Sequence, residues 1–385
     1  MRDANVSKGA AAPCRPQAAV SRSMRWWILV CLVVLGVCAA LSVVELWLRR
    51  LPEQPWKQRV EFGPFEWLDY HPFYAWMNRA GFVGAGFRIN SLHLRGPEVT
   101  PTKPAGTIRI VCLGDSRTFG IWQDVGRFRF DNAYAPALQA LARADGRNVE
   151  VLNAGVIGYS SAHGLRQLVA QLLPLVPDVL VVGFGINDAS LAWNPALRAL
   201  EPHSFLGRSL AYGARDLRAF QLGLSILQGM PSLFPPALTV PWVDAPEYAY
   251  NLRRFAEVSA AHHIHLLFLN LPLRALEVGE DLPAYADTKT PPLELTRFRF
   301  GVRDLPELHR TQQRYAEVLD RVAAETGTPI MNIAATFAVQ GAEPPFGRYD
   351  LVHWNVTGAR LIARSVYTAL RDSGWLAPPA ALPRQ

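Results

Sequence analysis

Five short stretches of this chain are apolar almost without interruption, and helical spacing separates most of them. They are residues 107–113, 149–152, 178–182, 265–271 and 329–333; the intervening helical stretches are 132–144, 162–173, 308–325 and 356–371. A strand that faces water on one side alternates polar and apolar residues. A strand that is apolar throughout has to be buried on both faces. The pattern therefore predicts an α/β domain, three-layered (α/β/α) and doubly wound around a mainly parallel five-stranded sheet. Sheets of this kind bind ligands just beyond the carboxyl ends of their strands.

The chemistry-bearing residues fall at those ends. Gly114-Asp115-Ser116 closes the first strand, Asn153-Ala154-Gly155 the second and Gly185-Ile186-Asn187-Asp188 the third, while Asp350 and His353 precede the last helix. A serine where a strand turns into a helix exposes its hydroxyl among backbone N–H groups. That hydroxyl needs a base within hydrogen-bond reach, for which His353 is the candidate, with Asp350 to orient the imidazole. Backbone N–H groups of Ser116 and Gly155 and the side-chain amide of Asn187 are the candidate donors to an oxyanion. Each piece alone is weak, since glycine turns and isolated Asp/His pairs are common. Four in order, three of them at successive strand ends, are not.

These blocks resemble the SGNH/GDSL hydrolase family: residues 110–120 (IVCLGDSRTFG), Asn153 to Gly155, Gly185 to Asp188, and Asp350 to His353 followed by Asn355 and Gly358. The resemblance covers residues 107–375 apart from two insertions. It implies the flavodoxin-like SGNH fold, with Ser116 as nucleophile, His353 as base, Asp350 as its partner and Ser116, Gly155 and Asn187 as the oxyanion hole. It implies an enzyme acting on ester bonds without a cofactor. Arg117 stands where the four-letter form has Leu, a departure expected to bear on substrate preference.

A second feature lies upstream. Residues 26–44 carry no charge, are flanked by Trp26, Trp27 and Trp47, and continue after Glu45 to Leu48. Nineteen helical residues approach the roughly 30 Å of a bilayer's hydrocarbon core, and Trp favours its interfaces. A cleaved signal peptide ending near Val37-Cys38-Ala39 is the alternative; the long polar tail and the continuing apolar run favour a transmembrane anchor. Arg2, Lys8, Arg15, Arg22 and Arg25 precede the run and face only Asp3. By the positive-inside rule the tail is cytoplasmic and the rest extracytoplasmic, although Arg49, Arg50, Lys57 and Arg59 make the bias slight. The organisation expected is a tail at 1–25, an anchor at 26–48, an aromatic and Pro-rich connecting segment at 49–105, a hydrolase domain at 106–377 with insertions at 189–245 and 275–305, and a tail at 378–385. The aromatic segment reads either as packing against the domain or as a membrane- or glycan-contacting patch.

The formal net charge of +7 is scattered rather than gathered in a basic run, which argues against nucleic acid. Cys14, Cys31, Cys38 and Cys112 form neither a CxxC motif nor a Cys/His cluster, so no metal site is expected. His163 reads as the start of a helix. The partners expected are an ester substrate, as a small molecule or an acylated glycan, and the membrane. Hydrolysis of carboxylic esters, O-acetyl groups of an extracytoplasmic glycan among them, is the leading expectation. Acyl transfer through the same site and a non-catalytic envelope binding or assembly role are the alternatives. The topology has a direct check: a reporter active only outside the cytoplasm, fused after Gln385, is expected to give signal, and activity of a cytoplasm-only reporter there would reverse the orientation.

Overall fold

The computed structural model describes residues 22–51, 66–71, 74–124, 127–190, 217–228, 241–274, 305–338, 345–347 and 350–377. Most of both expected insertions, the two chain-terminal tails apart from residues 22–25, and residues 52–65 lie outside the described residues. Helix α1 (Arg22–Arg50) comes first. Its stretch Met24–Arg50 is long and apolar enough to be a membrane span or a signal sequence.

The remainder is built on one sheet. Its strands are β1 (Ile108–Gly114), β2 (Val149–Asn153), β3 (Val179–Gly183), β4 (His265–Asn270) and β5 (Ile330–Asn332), in the order β5-β4-β3-β1-β2. Every pairing is parallel. The connecting helices are α2 (Ser116–Phe119) and α3 (Tyr134–Ala144) after β1, α4 (Ser161–Gln167) after β2, and α5 (Ile186–Ala189), α6 (Arg218–Gln228) and α7 (Ala245–Ala261) after β3. They continue with α8 (Leu305–Thr326) after β4 and with α9 (Ile333–Ala338) and α10 (Val356–Asp372) after β5. The expected five-stranded α/β architecture is therefore present.

All seven residues of β1 are buried, and its side chains alternate between two cores, as the period of two dictates. Val111 and Leu113 join one core with Leu252 and Phe255 of α7 and Val318 and Val322 of α8. Ile108, Ile110 and Cys112 join the other with Leu138 of α3 and Ile362, Val366 and Leu370 of α10. Helix α7 was not foreseen, although Asp244, Pro246 and Glu247 form a recognisable helix start; the Asp244 side chain accepts from the Glu247 N–H at 2.8 Å. The helix expected at 162–173 is α-helical only to Gln167. It continues as a π turn (Leu168–Leu172) and a 3₁₀ turn (Leu173–Leu175), where Pro174 has no N–H to give.

The segment upstream of β1 contributes to the core. A hairpin of Leu68–His71 with Ala75–Asn78 buries Trp67, Leu68 and Trp76 in the first core, and Trp67 stacks on Phe119 of α2 at 6.0 Å and 12°. At the opposite end of β1, away from α2, Arg109 is wholly buried. It pairs with Glu150 at 2.7 Å and donates to the carbonyls of Thr100, Pro101 and Leu175. Truncation would strand these acceptors, because a buried acceptor left without its donor forfeits its solvation. Arg109→Ala is accordingly expected to lower unfolding stability by roughly 3–5 kcal/mol, the usual cost of breaking a buried pair, in chemical denaturation. Activity per folded molecule should hold at low temperature; an unchanged midpoint would refute the role.

Candidate active site

Helix α2 begins where β1 ends. Asp115 is its N-cap, accepting from the Arg117 N–H, and Gly120 closes it with φ of 93° and an N–H donated to the Ser116 carbonyl. Ser116 occupies the first helical position, where N–H groups have no intrahelical acceptor, and its side chain is 7% exposed. Its Oγ lies 2.8 Å from Nε2 of His353. On the other side of the ring, Nδ1 is 2.9 Å from Oδ2 and 3.0 Å from Oδ1 of Asp350. Residues separated by more than two hundred positions thus meet in one hydrogen-bonded row.

The Asp350 loop is built to hold that row. One carboxylate oxygen accepts the N–H groups of Val352 and His353, and the other accepts the Gln123 N–H from the strand that follows α2. Asn355 then caps α10 through the Gly358 N–H. Burial works to raise the Asp350 pKa. The adjacent His353 imidazole and the donated hydrogen bonds outweigh it and hold the carboxyl below its ordinary value. An ionised Asp350 can only accept, so Nδ1 of His353 carries the proton and Nε2 is left to accept from Ser116.

Asn187 is the second residue of α5. It is 4% exposed, and its amide donates to the Tyr159 carbonyl at 3.0 Å. Gly155 is a correction. Its N–H is donated to the Asn153 side-chain carbonyl at 3.0 Å, so the hydrogen expected to serve an oxyanion is used within the protein. The glycine is needed for packing instead, because a Cβ there would run into the backbone of Thr118 and Phe119. Three residues on, Gly158 has φ of 82°, with the Trp76 ring 3.1 Å from where a Cβ would sit. It directly precedes Tyr159, the residue that receives the Asn187 amide. Sequence reading missed Gly158; the signal was the second glycine of the Gly155–Gly158 pair, just before the Ser160-Ser161 helix start.

A family model described as GDSL-like lipase/acylhydrolase matches residues 112–361, from within β1 to within α10. The chain belongs to this family. It is an ester-hydrolysing enzyme of the GDSL type. Among solved structures it is similar to the lipase/acylhydrolase from Enterococcus faecalis, at 19% identity over 71% of this chain and all of that one, with a TM-score of 0.42. It is also similar to an acetylxylan esterase from Geobacillus stearothermophilus, at 16% identity over 70% of this chain and 95% of that one, with a TM-score of 0.40. No curated protein sequence matches it.

Within this GDSL enzyme, Arg117, where the four-letter motif has Leu, is turned inward. It is fully buried and pairs with the equally buried Asp115 at 2.8 Å. His163 is the third residue of α4 and is buried between Tyr159 and Trp242. No group of His, Cys, Asp or Glu among the described residues is arranged to hold a metal ion.

Asp188, beside Asn187, is a further buried carboxylate. It accepts from the N–H and hydroxyl of Ser161 and from the Gly185 N–H, and so ties the β3–α5 turn to the start of α4. Burial, with a smaller contribution from Asp115, pushes its pKa up to about 7 against the pull of those donors. A carboxyl whose folded pKa lies above its unfolded value keeps its proton longer in the folded chain, so stability falls as pH rises between the two. For Asp188 the window opens near the unfolded value of about 4 and closes at about 7. Asp188→Asn cannot ionise. Its stability should gain on the parent across that window by up to about 1.4 kcal/mol per pH unit, read as melting temperature against pH; parallel curves would rule the titration out.

Proposed function

We propose that the enzyme is a membrane-anchored serine esterase that works through a Ser116–His353–Asp350 acyl-enzyme mechanism. The single observation carrying this reading is the row of contacts from Ser116 Oγ to His353 Nε2 at 2.8 Å and from His353 Nδ1 to Asp350 at 2.9 Å. In this reading Nε2 takes the hydroxyl proton as Oγ attacks the ester carbonyl, and Asp350 stabilises the imidazolium that forms. The proton passes to the departing alcohol, and water, activated by the same imidazole, releases the acid from Ser116.

The carbonyl oxygen gains its charge between the helix-opening N–H of Ser116, the side-chain amide of Asn187 and, we propose in place of Gly155, the N–H of Gly158. Donors aimed at charge that develops only in the transition state act on kcat rather than on substrate binding. The anchor is α1, with the tail before it cytoplasmic and the catalytic domain outside. The substrate class is a carboxylic ester, with O-acetyl groups of an extracytoplasmic glycan as the reading that fits this placement.

Nucleophile and oxyanion donor are expected to fail differently. A fluorophosphonate probe should label Ser116 covalently, and Ser116→Ala should lose both labelling and all but a small remnant of turnover. Asn187→Ala should still take the label slowly while kcat drops roughly 100- to 1,000-fold, the usual cost of one oxyanion donor. Full esterase activity in folded Ser116→Ala, or labelling elsewhere with Ser116 untouched, overturns the mechanism.

A further inference from the structure

The chain that leaves the site after α5 returns beside it. The Trp242 N–H donates to the Ser190 carbonyl at 2.6 Å and the Val243 N–H to the Asp188 carbonyl at 3.0 Å. The intervening residues 191–241 are therefore closed at their base next to Asn187. They include α6, which packs against α1.

The contact is specific. Glu45, the one charge between Trp26 and Leu48, extends its carboxylate to the N–H of Ala219 at the start of α6, at 2.8 Å, while its other oxygen takes the Arg49 guanidinium at 2.7 Å. The first N–H groups of a helix need an acceptor and favour an anion. An acid at the end of an apolar span needs partners. Each requirement is met by the other. Leu48, one turn from Glu45, is 1% exposed, whereas Leu46 and Trp47 stay 61% and 60% exposed.

The composition of α6 matches this position. From Ala219 to Gln228 it carries no charge, and it includes Phe220, Leu222, Leu224, Ile226 and Leu227. Leu217 and Ile226 are 43% and 49% exposed. Eleven helical residues span roughly 16 Å, about half of a bilayer's hydrocarbon core, so α6 is too short to cross it. An apolar helix of that length beside the end of a membrane span, next to Arg49, Arg50 and Arg218, suits the headgroup boundary, where basic side chains meet lipid phosphates.

We infer that α6 lies in the lipid–water interface alongside the end of α1. The partner of its apolar surface is the bilayer itself, and α6 is a second membrane contact of the enzyme. This rests on the reading of α1 as a retained membrane anchor, and the test separates the two. Full-length protein with Cys14, Cys31 and Cys38 replaced by Ala keeps only the buried Cys112. It would receive one new cysteine at a time, Ile226→Cys, Leu35→Cys or Val83→Cys, be labelled with nitrobenzoxadiazole, and be reconstituted into phosphatidylcholine–phosphatidylglycerol vesicles. The vesicles carry spin labels either near the headgroup or deep in the acyl chains.

The label at 226 should be quenched more by the shallow spin label, since an interfacial helix buries its apolar face only roughly 5–10 Å. The label at 35 should be quenched more by the deep one, and the label at 83 by neither. Glu45→Ala should weaken shallow quenching at 226 and leave position 35 unchanged. Quenching at 35 with none at 226 overturns the placement of α6 while the anchor stands, whether the 226 label then reports water or a protein contact. Absence of quenching at 35 overturns the anchor, and this inference with it. Unchanged quenching at 226 in Glu45→Ala removes Glu45 as the tie.

Discussion

The sheet changes direction at β1, and the position of every candidate residue follows from that change. The chain leaves β1 to build β2 on one side and returns across it to build β3 on the other, so the turns after β1 and β3 diverge and leave a crevice between them. Register brings Gly114 opposite Gly183, and a Cβ on Gly114 would meet the Gly183 carbonyl oxygen at 2.7 Å. Only bare backbone fits there. Two residues beyond Gly114 is Ser116; four beyond Gly183 is Asn187. Ser116 and Asn187 follow the ends of two neighbouring parallel strands, and α10 arrives over the same edge with His353, whose Nε2 lies 2.8 Å from the Ser116 hydroxyl.

A helix of four residues has no stability of its own, since the first turn costs more order than its one hydrogen bond returns. Helix α2 is held from outside. Asp115 caps its start and is fixed by the buried Arg117 guanidinium. At its other end the Asn153 amide donates to the carbonyls of Thr118 and Phe119, and the Arg95 guanidinium donates to those of Phe119 and Gly120. Arg95 also lies over the rings of Phe87 and Phe119 at 5.0 and 4.9 Å. The segment upstream of β1 therefore stiffens the turn that carries Ser116, through residues far from any substrate.

The strands and the Ser116, Asn187, Asp350 and His353 blocks were legible in the sequence because each follows a local rule. An apolar run buried on both faces reads as a central parallel strand, and a polar residue just past it reads as a site. Arg95 and Trp67 obey no such rule, because their partners come from α2, which folds across them only in three dimensions. The place of Arg117 was not legible for a related reason: that it is buried shows only once its pairing with the buried Asp115 is seen. Gly155 and Gly158 are equivalent as letters. Only the Asn153 side chain, which takes the first one's N–H, tells them apart.

Asp350 and Asp188 show how one fold gives two buried carboxylates different characters. Both lie under the crevice, and both collect hydrogen bonds from backbone N–H groups. Asp350 also faces an imidazole able to become positive, and the balance keeps it ionised. Asp188 has Ser161 and Gly185 for donors, no cationic partner is in contact with it among the described residues, and Asp115 adds to the effect of burial, which prevails. Their places in the reaction follow. In the proposed mechanism, acyl transfer through His353 generates a cation for a moment and needs a standing negative charge beside it, which Asp350 would supply. The Asn187 turn needs acceptors for its neighbouring N–H and hydroxyl groups without a strong field at the oxyanion, since a full negative charge next to Asn187 would oppose the one forming on the substrate. In the proposed oxyanion hole, Asp188, whose pKa burial pushes up to about 7 and which is tied to Ser161 and Gly185, suits that place.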